Sequence, residues 1–238
     1  MSIRNEPRGA PAREETPVVV VLGAGPGLGR AIGKAFAEYG AKVSLMARNS
    51  GRLARISAEI GAAGFAAIDV TDEAALRAAF ASVRESLGDP TVLVHNPSIA
   101  IEGAATETAR SDFMAGLELA AGSLLIAAQE VAPAMRRAGR GTILVTGSEA
   151  ALAGSTWSAA LAVQKSAVRN LAFSLAAELG QDGVHVSTIT IHGTLGTPGF
   201  EPDRIAAEYV RLAMLDDATL EATRATWPVE VDWPARDG

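Results

Sequence analysis

The sequence predicts a single α/β domain, a doubly wound parallel sheet in three layers, α/β/α. Short β-branched runs alternate with long alanine-rich stretches from Val18 onward, the rhythm of strand-helix-strand units. The first such run ends in a glycine-rich turn that opens a helix, and no change of composition divides the chain after it. A length of 238 residues suits one sheet of this kind or two small domains equally, so length alone does not decide.

Met1 to Pro17 mix Arg, Glu, Pro and Gly with almost no large apolar side chains, too few to offset the entropy of ordering them. A flexible tail is expected there, followed by one domain over residues 18–238. Strands are expected at Val18–Leu22, Lys42–Ala47, Phe65–Val70, Thr91–His95, Thr142–Thr146 and His185–Ile191. Helices are expected at Gly29–Tyr39, Gly51–Gly61, Asp72–Leu87, Asp112–Arg137 and Ser158–Leu179, with stops at Gly40, Gly64, Gly88 and Gly180. Beyond Pro198 the pattern weakens to a helix over Pro202–Leu215, a polar stretch and a last strand near Val229–Trp233.

Composition excludes several function classes. The net charge is −6 and no stretch gathers Lys and Arg into a basic stripe, so nucleic acid and anionic membranes are not expected partners. The absence of cysteine removes disulfides, thiolate catalysis and Cys-type zinc sites. His95, His185 and His192 have no metal-ligand spacing, so no metal is expected. Val18–Leu22 is too short to cross a bilayer and nothing before it resembles a secretory core, which points to the cytoplasm.

The turn is Gly23-Ala24-Gly25-Pro26-Gly27-Leu28-Gly29. A strand turning sharply into a helix aims backbone N–H groups at the helix N-terminus, where an anion is favoured and side chains would block a diphosphate. A bare glycine pattern also serves as a plain tight turn, but the flanking strand and helix supply the context of a Rossmann-type nucleotide site. At the end of the second strand NAD would need a carboxylate for its ribose hydroxyl, and the sequence has Ala47-Arg48-Asn49 instead. An arginine fork suits a 2′-phosphate, so NADP(H) is preferred over NAD(H) unless Arg48 merely faces solvent.

On these residues the chain resembles the short-chain dehydrogenase/reductase family over nearly all of Val18–Trp233. The resemblance implies an NAD(P)-dependent oxidoreductase, usually a dimer or tetramer. The family's TGxxxGxG turn is matched by Gly23, Gly27 and Gly29, with Leu22 where threonine is usual. Its Asp-Val step is Asp69-Val70, and its Asn-Asn-Ala-Gly segment corresponds in part to His95-Asn96-Pro97-Ser98. The active-site serine corresponds to Ser148, while the Tyr-x-x-x-Lys pair falls on Leu161 and Lys165, so the register is kept and the tyrosine is lost. The helical asparagine falls on Ala120, and the Pro-Gly step after the sixth strand is His192-Gly193, with Thr197 keeping a threonine. An atypical branch that keeps the lysine is the implied position.

Leucine neither gives nor takes a proton, so ordinary carbonyl reduction should be slowed by about 10²–10⁴-fold unless another group substitutes. Lys165 shares a helix face with Leu161 and, by the resemblance, also holds the nicotinamide ribose. Ser148 would orient a carbonyl or simply end a strand, and His192 is a candidate substitute acid or a structural histidine. Trp157 and Leu161 would wall the substrate pocket, although core packing explains Trp157 equally well. His95 is expected to be satisfied and partly buried, and His185 to lie at the surface.

The expected function is therefore an NADP(H)-dependent oxidoreductase with a degenerate site, acting on a small apolar carbonyl-like substrate. The alternative is a non-catalytic NADP(H)-binding sensor or supporting subunit. The alanine-rich helices Asp112–Arg137 and Ser158–Leu179 correspond to those that pair between subunits in the family, which implies a homodimer or homotetramer.

Overall fold

β1 (Val18–Leu22) lies near the middle of a seven-stranded, fully parallel sheet and is buried along its whole length. The computed structural model describes residues 16–215 and 227–235. Its other strands are β2 (Lys42–Ala47), β3 (Gly64–Ala67), β4 (Val92–His95), β5 (Gly141–Ser148), β6 (Val184–Ile191) and β7 (Glu230–Trp233). They run in the order β3-β2-β1-β4-β5-β6-β7, so the winding reverses between β1 and β4 and opens a crevice at the carboxyl ends of those two strands.

The helices are α1 (Leu28–Tyr39), α2 (Ser50–Ile60), α3 (Glu73–Leu87), α4 (Arg110–Leu117), α5 (Ser123–Ala138), α6 (Ala159–Leu179) and α7 (Pro202–Ala213). Alternate residues of β1 feed two separate cores. Val18, Val20 and Leu22 pack with α3, α5 and α6 through Phe80, Leu124 and Val168, whereas Val19 and Val21 pack with α1, α2 and α7 through Phe36, Leu53 and Tyr209. That division is the three-layer α/β/α arrangement expected from the strand-helix rhythm.

Several local expectations are corrected. Gly61, not Gly64, ends α2, at φ 66°, and Gly64 instead opens β3. β3 stops at Ala67 rather than Val70, since it is an edge strand with half its residues exposed and a single partner to hold it. Gly180 does not stop α6; it continues into a 3₁₀ turn over Gly180–Asp182, and Gly183 at φ 77° makes the break. The single helix expected at Asp112–Arg137 is two α-helices joined by a π turn over Glu118–Gly122. His185 is buried rather than superficial, stacked on Trp227 with ring centroids 4.2 Å apart.

Most of the expected N-terminal tail and the polar stretch at 216–226 lie outside the described residues. Pro17 is not loose: its carbonyl accepts from Lys42 N at 2.8 Å. Residues 110–138 are, among those described, the one helical run long and apolar enough to cross a membrane by length and composition. Its inner side, including Leu124, Ala127, Val131 and Met135, is spent on the core.

Candidate functional site

A cleft of about 910 Å³ runs along the carboxyl edge of the sheet, centred on the crevice between β1 and β4. Its floor is the glycine turn. Gly23 takes φ +75°, and a Cβ there would come within 2.8 Å of Pro97 N, so only glycine lets the loops after β1 and β4 close up. At Gly29 a Cβ would sit 2.4 Å from the Gly23 carbonyl oxygen, which is why α1 can pack tightly on the end of β1. Gly25 and Gly27 differ: beyond their immediate chain neighbours, no described atom lies within 4 Å of either Cβ position, and both line the cleft.

α1 starts at Leu28 with Gly27 as its cap, no side chain bonded to its first N–H groups and no acid in its first turn. The positive end of its dipole is thus uncompensated by the protein and faces open space, the cradle that a diphosphate fits.

At one end of the cleft stand Arg48 and Arg52, with Ile68 and Val70 as apolar walls. Asn49 lines this end as well, but its side chain accepts from Arg52 N at 2.8 Å and caps α2. Asp69 does not line the cleft; its carboxylate accepts from Thr71 N at 3.0 Å and Thr71 Oγ1 at 2.8 Å, bonds that hold it below the usual carboxylate range. No Asp or Glu is among the residues that line the cleft, against three cations, Arg48, Arg52 and Lys165.

The other end is built by β5 and α6. Ser158 caps α6: its hydroxyl oxygen accepts from Leu161 N at 3.3 Å and donates to the Ile101 carbonyl at 2.6 Å. One turn on, Gln164 spans to the loop after β4, donating from Nε2 to the Ile99 carbonyl at 3.1 Å and accepting from Ile99 N at 3.4 Å. With this registration Leu161 and Lys165 both line the cleft, together with Ser148, Leu119, Ile191 and Leu195. Ser148 Oγ accepts from Ala150 N at 3.2 Å, which leaves its own proton for a ligand.

Lys165 is only 6% exposed, and its Nζ donates to the Thr146 carbonyl at 2.8 Å. Burial pushes its ammonium down to about 8. The Thr146 hydroxyl is a second junction. It donates to Asn96 Oδ1 at 2.9 Å, so the 2.7 Å contact with Tyr209 is a bond donated by the phenol, and Asn96 Nδ2 in turn donates to the Gly23 carbonyl at 2.9 Å. Asn96 lines the cleft, but its amide is used to fix the glycine turn. Tyr209 is fully buried on α7, and burial raises its phenol further above its ordinary value.

Ala120 is buried in the core within the π turn. Next to it Ser123 donates to the Leu119 carbonyl at 2.6 Å, so the 2.8 Å contact with His95 requires the histidine proton on Nε2. His95 is 1% exposed, satisfied as expected, and more deeply buried than expected; burial first, then the Lys165 charge, lowers it to about 3.

Besides Asp69, three expected site residues lie apart from the cleft lining. His192 is held by Asp232 through Nε2, with Glu149 3.8 Å from Nδ1. Thr197 donates to the Thr194 carbonyl at 2.8 Å in the loop beyond, where Gly193 does line the cleft. Trp157 is 57% exposed and serves neither core nor cleft, while its carbonyl accepts from Gly103 N at 2.8 Å. Sequence reasoning missed Arg52, Gln164 and Tyr209. Arg52 had a signal, a second arginine four residues after Arg48 in the first turn of the helix that follows it; the partners of the other two are remote in the chain.

The fold and this cleft define a dinucleotide-binding α/β protein of the doubly wound class. The short chain dehydrogenase family model matches residues 17–205, and the chain belongs to that family. It is 29% identical over 250 aligned positions to meso-2,3-butanediol dehydrogenase of Serratia marcescens, covering 95% of this chain and 98% of that one. It is 34% identical over 157 residues to "Inactive 2-(S)-hydroxypropyl-CoM dehydrogenase 2" of Xanthobacter autotrophicus, covering 66% and 68% of the two chains. Among solved structures, a metagenomic short-chain oxidoreductase in complex with NADP superimposes with a TM-score of 0.80 at 29% identity, covering 90% and 95%.

Proposed function

We propose that the protein is an oxidoreductase that binds NADP(H) in preference to NAD(H) and reduces a small apolar carbonyl-like compound in the cytoplasm. One observation carries the reading: the cleft is lined by three cations and no carboxylate in a chain whose net charge is −6. A ligand with a diphosphate and a 2′-phosphate matches that lining.

Gly25, Gly27 and the start of α1 would hold the diphosphate, Arg48 and Arg52 the 2′-phosphate, and Lys165 the nicotinamide ribose. Bound NADPH supplies a hydride. Ser148 presents a hydroxyl proton to the carbonyl oxygen, and Leu119, Leu161, Ile191 and Leu195 exclude water and select an apolar substrate. The proton for the new alcohol is assigned to the Lys165 ammonium, because Leu161 has none and His192 is engaged by Asp232.

Assembly as a homodimer or homotetramer is part of this reading. Leu125 on α5 and Val163 and Phe173 on α6 are exposed apolar side chains on the two helices expected to pair.

A second reading, a non-catalytic NADP(H) sensor or supporting subunit, is favoured by Leu161 and Ala120 and by the name of the inactive relative. Thermal stabilisation tests the cofactor binding that both readings share: a ligand at a hundred times its Kd adds about 2.7 kcal/mol to the folded state. NADP(H) should stabilise at lower concentration than NAD(H), and equal or absent stabilisation rejects the cofactor assignment. NADPH oxidation across aldehydes, ketones, imines and activated alkenes then distinguishes enzyme from sensor.

A further inference from the structure

Lys165 is one of only three lysines in the chain, which otherwise uses arginine for its cations. The other two, Lys34 and Lys42, are on the outside: Lys34 pairs with Glu38 at 3.7 Å, and Lys42 is exposed at the start of β2. Lys165 is the buried one, and among the described residues no carboxylate pairs with it. Among the described residues its single hydrogen-bond partner is the neutral carbonyl of Thr146, and its neighbour on the helix face is the hydrocarbon of Leu161. An arginine could fill a cationic role here, but only lysine can lose its proton and become a nucleophile.

We infer that Lys165 is an imine-forming lysine, whose neutral amine condenses in the cleft with small apolar aldehydes and methyl ketones. The Nζ lone pair attacks the carbonyl carbon; the C–N bond forms as the carbonyl π bond breaks, and a proton passes from nitrogen to oxygen to give a carbinolamine. Loss of that hydroxyl with a proton, as water, forms the C=N bond. The step needs no oxidant or reductant. Ser148 is two residues beyond Thr146 on β5, roughly 6–7 Å along the strand, so its hydroxyl proton can meet the carbonyl oxygen while the amine meets the carbon. Burial lowers the ammonium to about 8, so near neutral pH a far larger fraction of Lys165 is neutral amine than of an ordinary lysine at 10.5.

The inference does not rest on the cofactor assignment. The test treats the purified protein at pH 7.5 with butanal and cyanoborohydride, which converts imines to stable secondary amines, and follows labelling peptide by peptide by mass spectrometry. Lys165 should label about ten-fold faster or more than Lys34 and Lys42 and should saturate with butanal, because a cleft must fill first. Labelling of Lys165 no faster than these two, or without saturation, overturns it. Lys165 labelling in a protein that ignores NADP(H) would leave this inference standing and remove the oxidoreductase reading; NADP(H) binding with an unreactive Lys165 would do the reverse.

Discussion

Lys165 and Thr146 meet through a 2.8 Å bond from ammonium to carbonyl, and through Thr146 the helix that carries Lys165 is tied to the glycine turn. The same threonine takes a bond from Tyr209 and gives one to Asn96, which holds the Gly23 carbonyl. The two ends of the cleft are thus set by one residue of β5. Five predictions test this arrangement and the chemistry assigned to it.

The glycines of the turn should separate by role. Gly29→Ala places a Cβ 2.4 Å from a backbone oxygen and should destabilise the fold by about 1–3 kcal/mol, as overpacking does. Gly25→Ala meets nothing within 4 Å beyond its own chain neighbours, so its melting temperature should stay near wild type while NADP(H) affinity falls. Thermal melts with and without cofactor read both effects; a Gly25→Ala protein that binds NADP(H) normally would show that the turn does not hold the diphosphate.

Arg48→Ala and Arg52→Ala should each weaken NADP(H) by about ten- to a hundred-fold, the loss of one charged hydrogen bond or pair, and change NAD(H) little. Titration calorimetry with both cofactors measures the difference. Equal losses for both would place these guanidiniums away from the 2′-phosphate.

Leu161→Tyr returns a phenol one helical turn from Lys165. If the cleft is a working frame that lacks its acid, NADPH-dependent reduction of small ketones should rise by about 10²–10⁴-fold. Unchanged turnover in a variant that still binds NADP(H) would favour the sensor.

Tyr209→Phe removes one buried hydrogen bond without changing shape and should lower stability by about 1 kcal/mol. Because that bond orients Thr146 and, through Asn96, the turn, NADP(H) affinity should fall too. Loss of stability with wild-type affinity would reduce Tyr209 to a packing residue.

The pH dependence of stability should reveal the two buried bases. Folding holds His95 at about 3 against an ordinary 6.5, so the folded state binds fewer protons between those values. Its neutral form supports the fold above pH 6.5, and that support is lost as pH falls toward 3, at up to about 1.4 kcal/mol per pH unit. Lys165 behaves likewise at the alkaline end: with about 8 folded against 10.5 unfolded, its contribution should make the protein more stable as pH rises between them. Urea melts across pH 4–10 give the slopes, and His95→Gln should flatten the acid limb.

Much of this protein was legible in its residue order. β1 and β2 fall where the apolar runs placed them, as does the turn between β1 and α1, because strand period, glycine tolerance and helix opening are local properties. The pairing of Leu161 with Lys165 on one face was equally readable, since four residues are one helical turn. Local signals misled where a distant contact decided. β3 is short for want of a second partner, and His185 is buried because Trp227 stacks on it from the far end of the chain.

Arrangement across the chain was decided by tertiary structure alone. Tyr209 reaches Thr146 across 63 residues, Gln164 reaches Ile99 across 65, and His192 turns to Asp232 instead of the cleft. The sequence by itself determined which side chains exist and which near neighbours share a face, because backbone period sets that. Which of them surround one cleft, and which are withdrawn into hydrogen bonds, depended on how seven strands and their helices pack, since a buried polar group takes whatever partner the fold brings within reach.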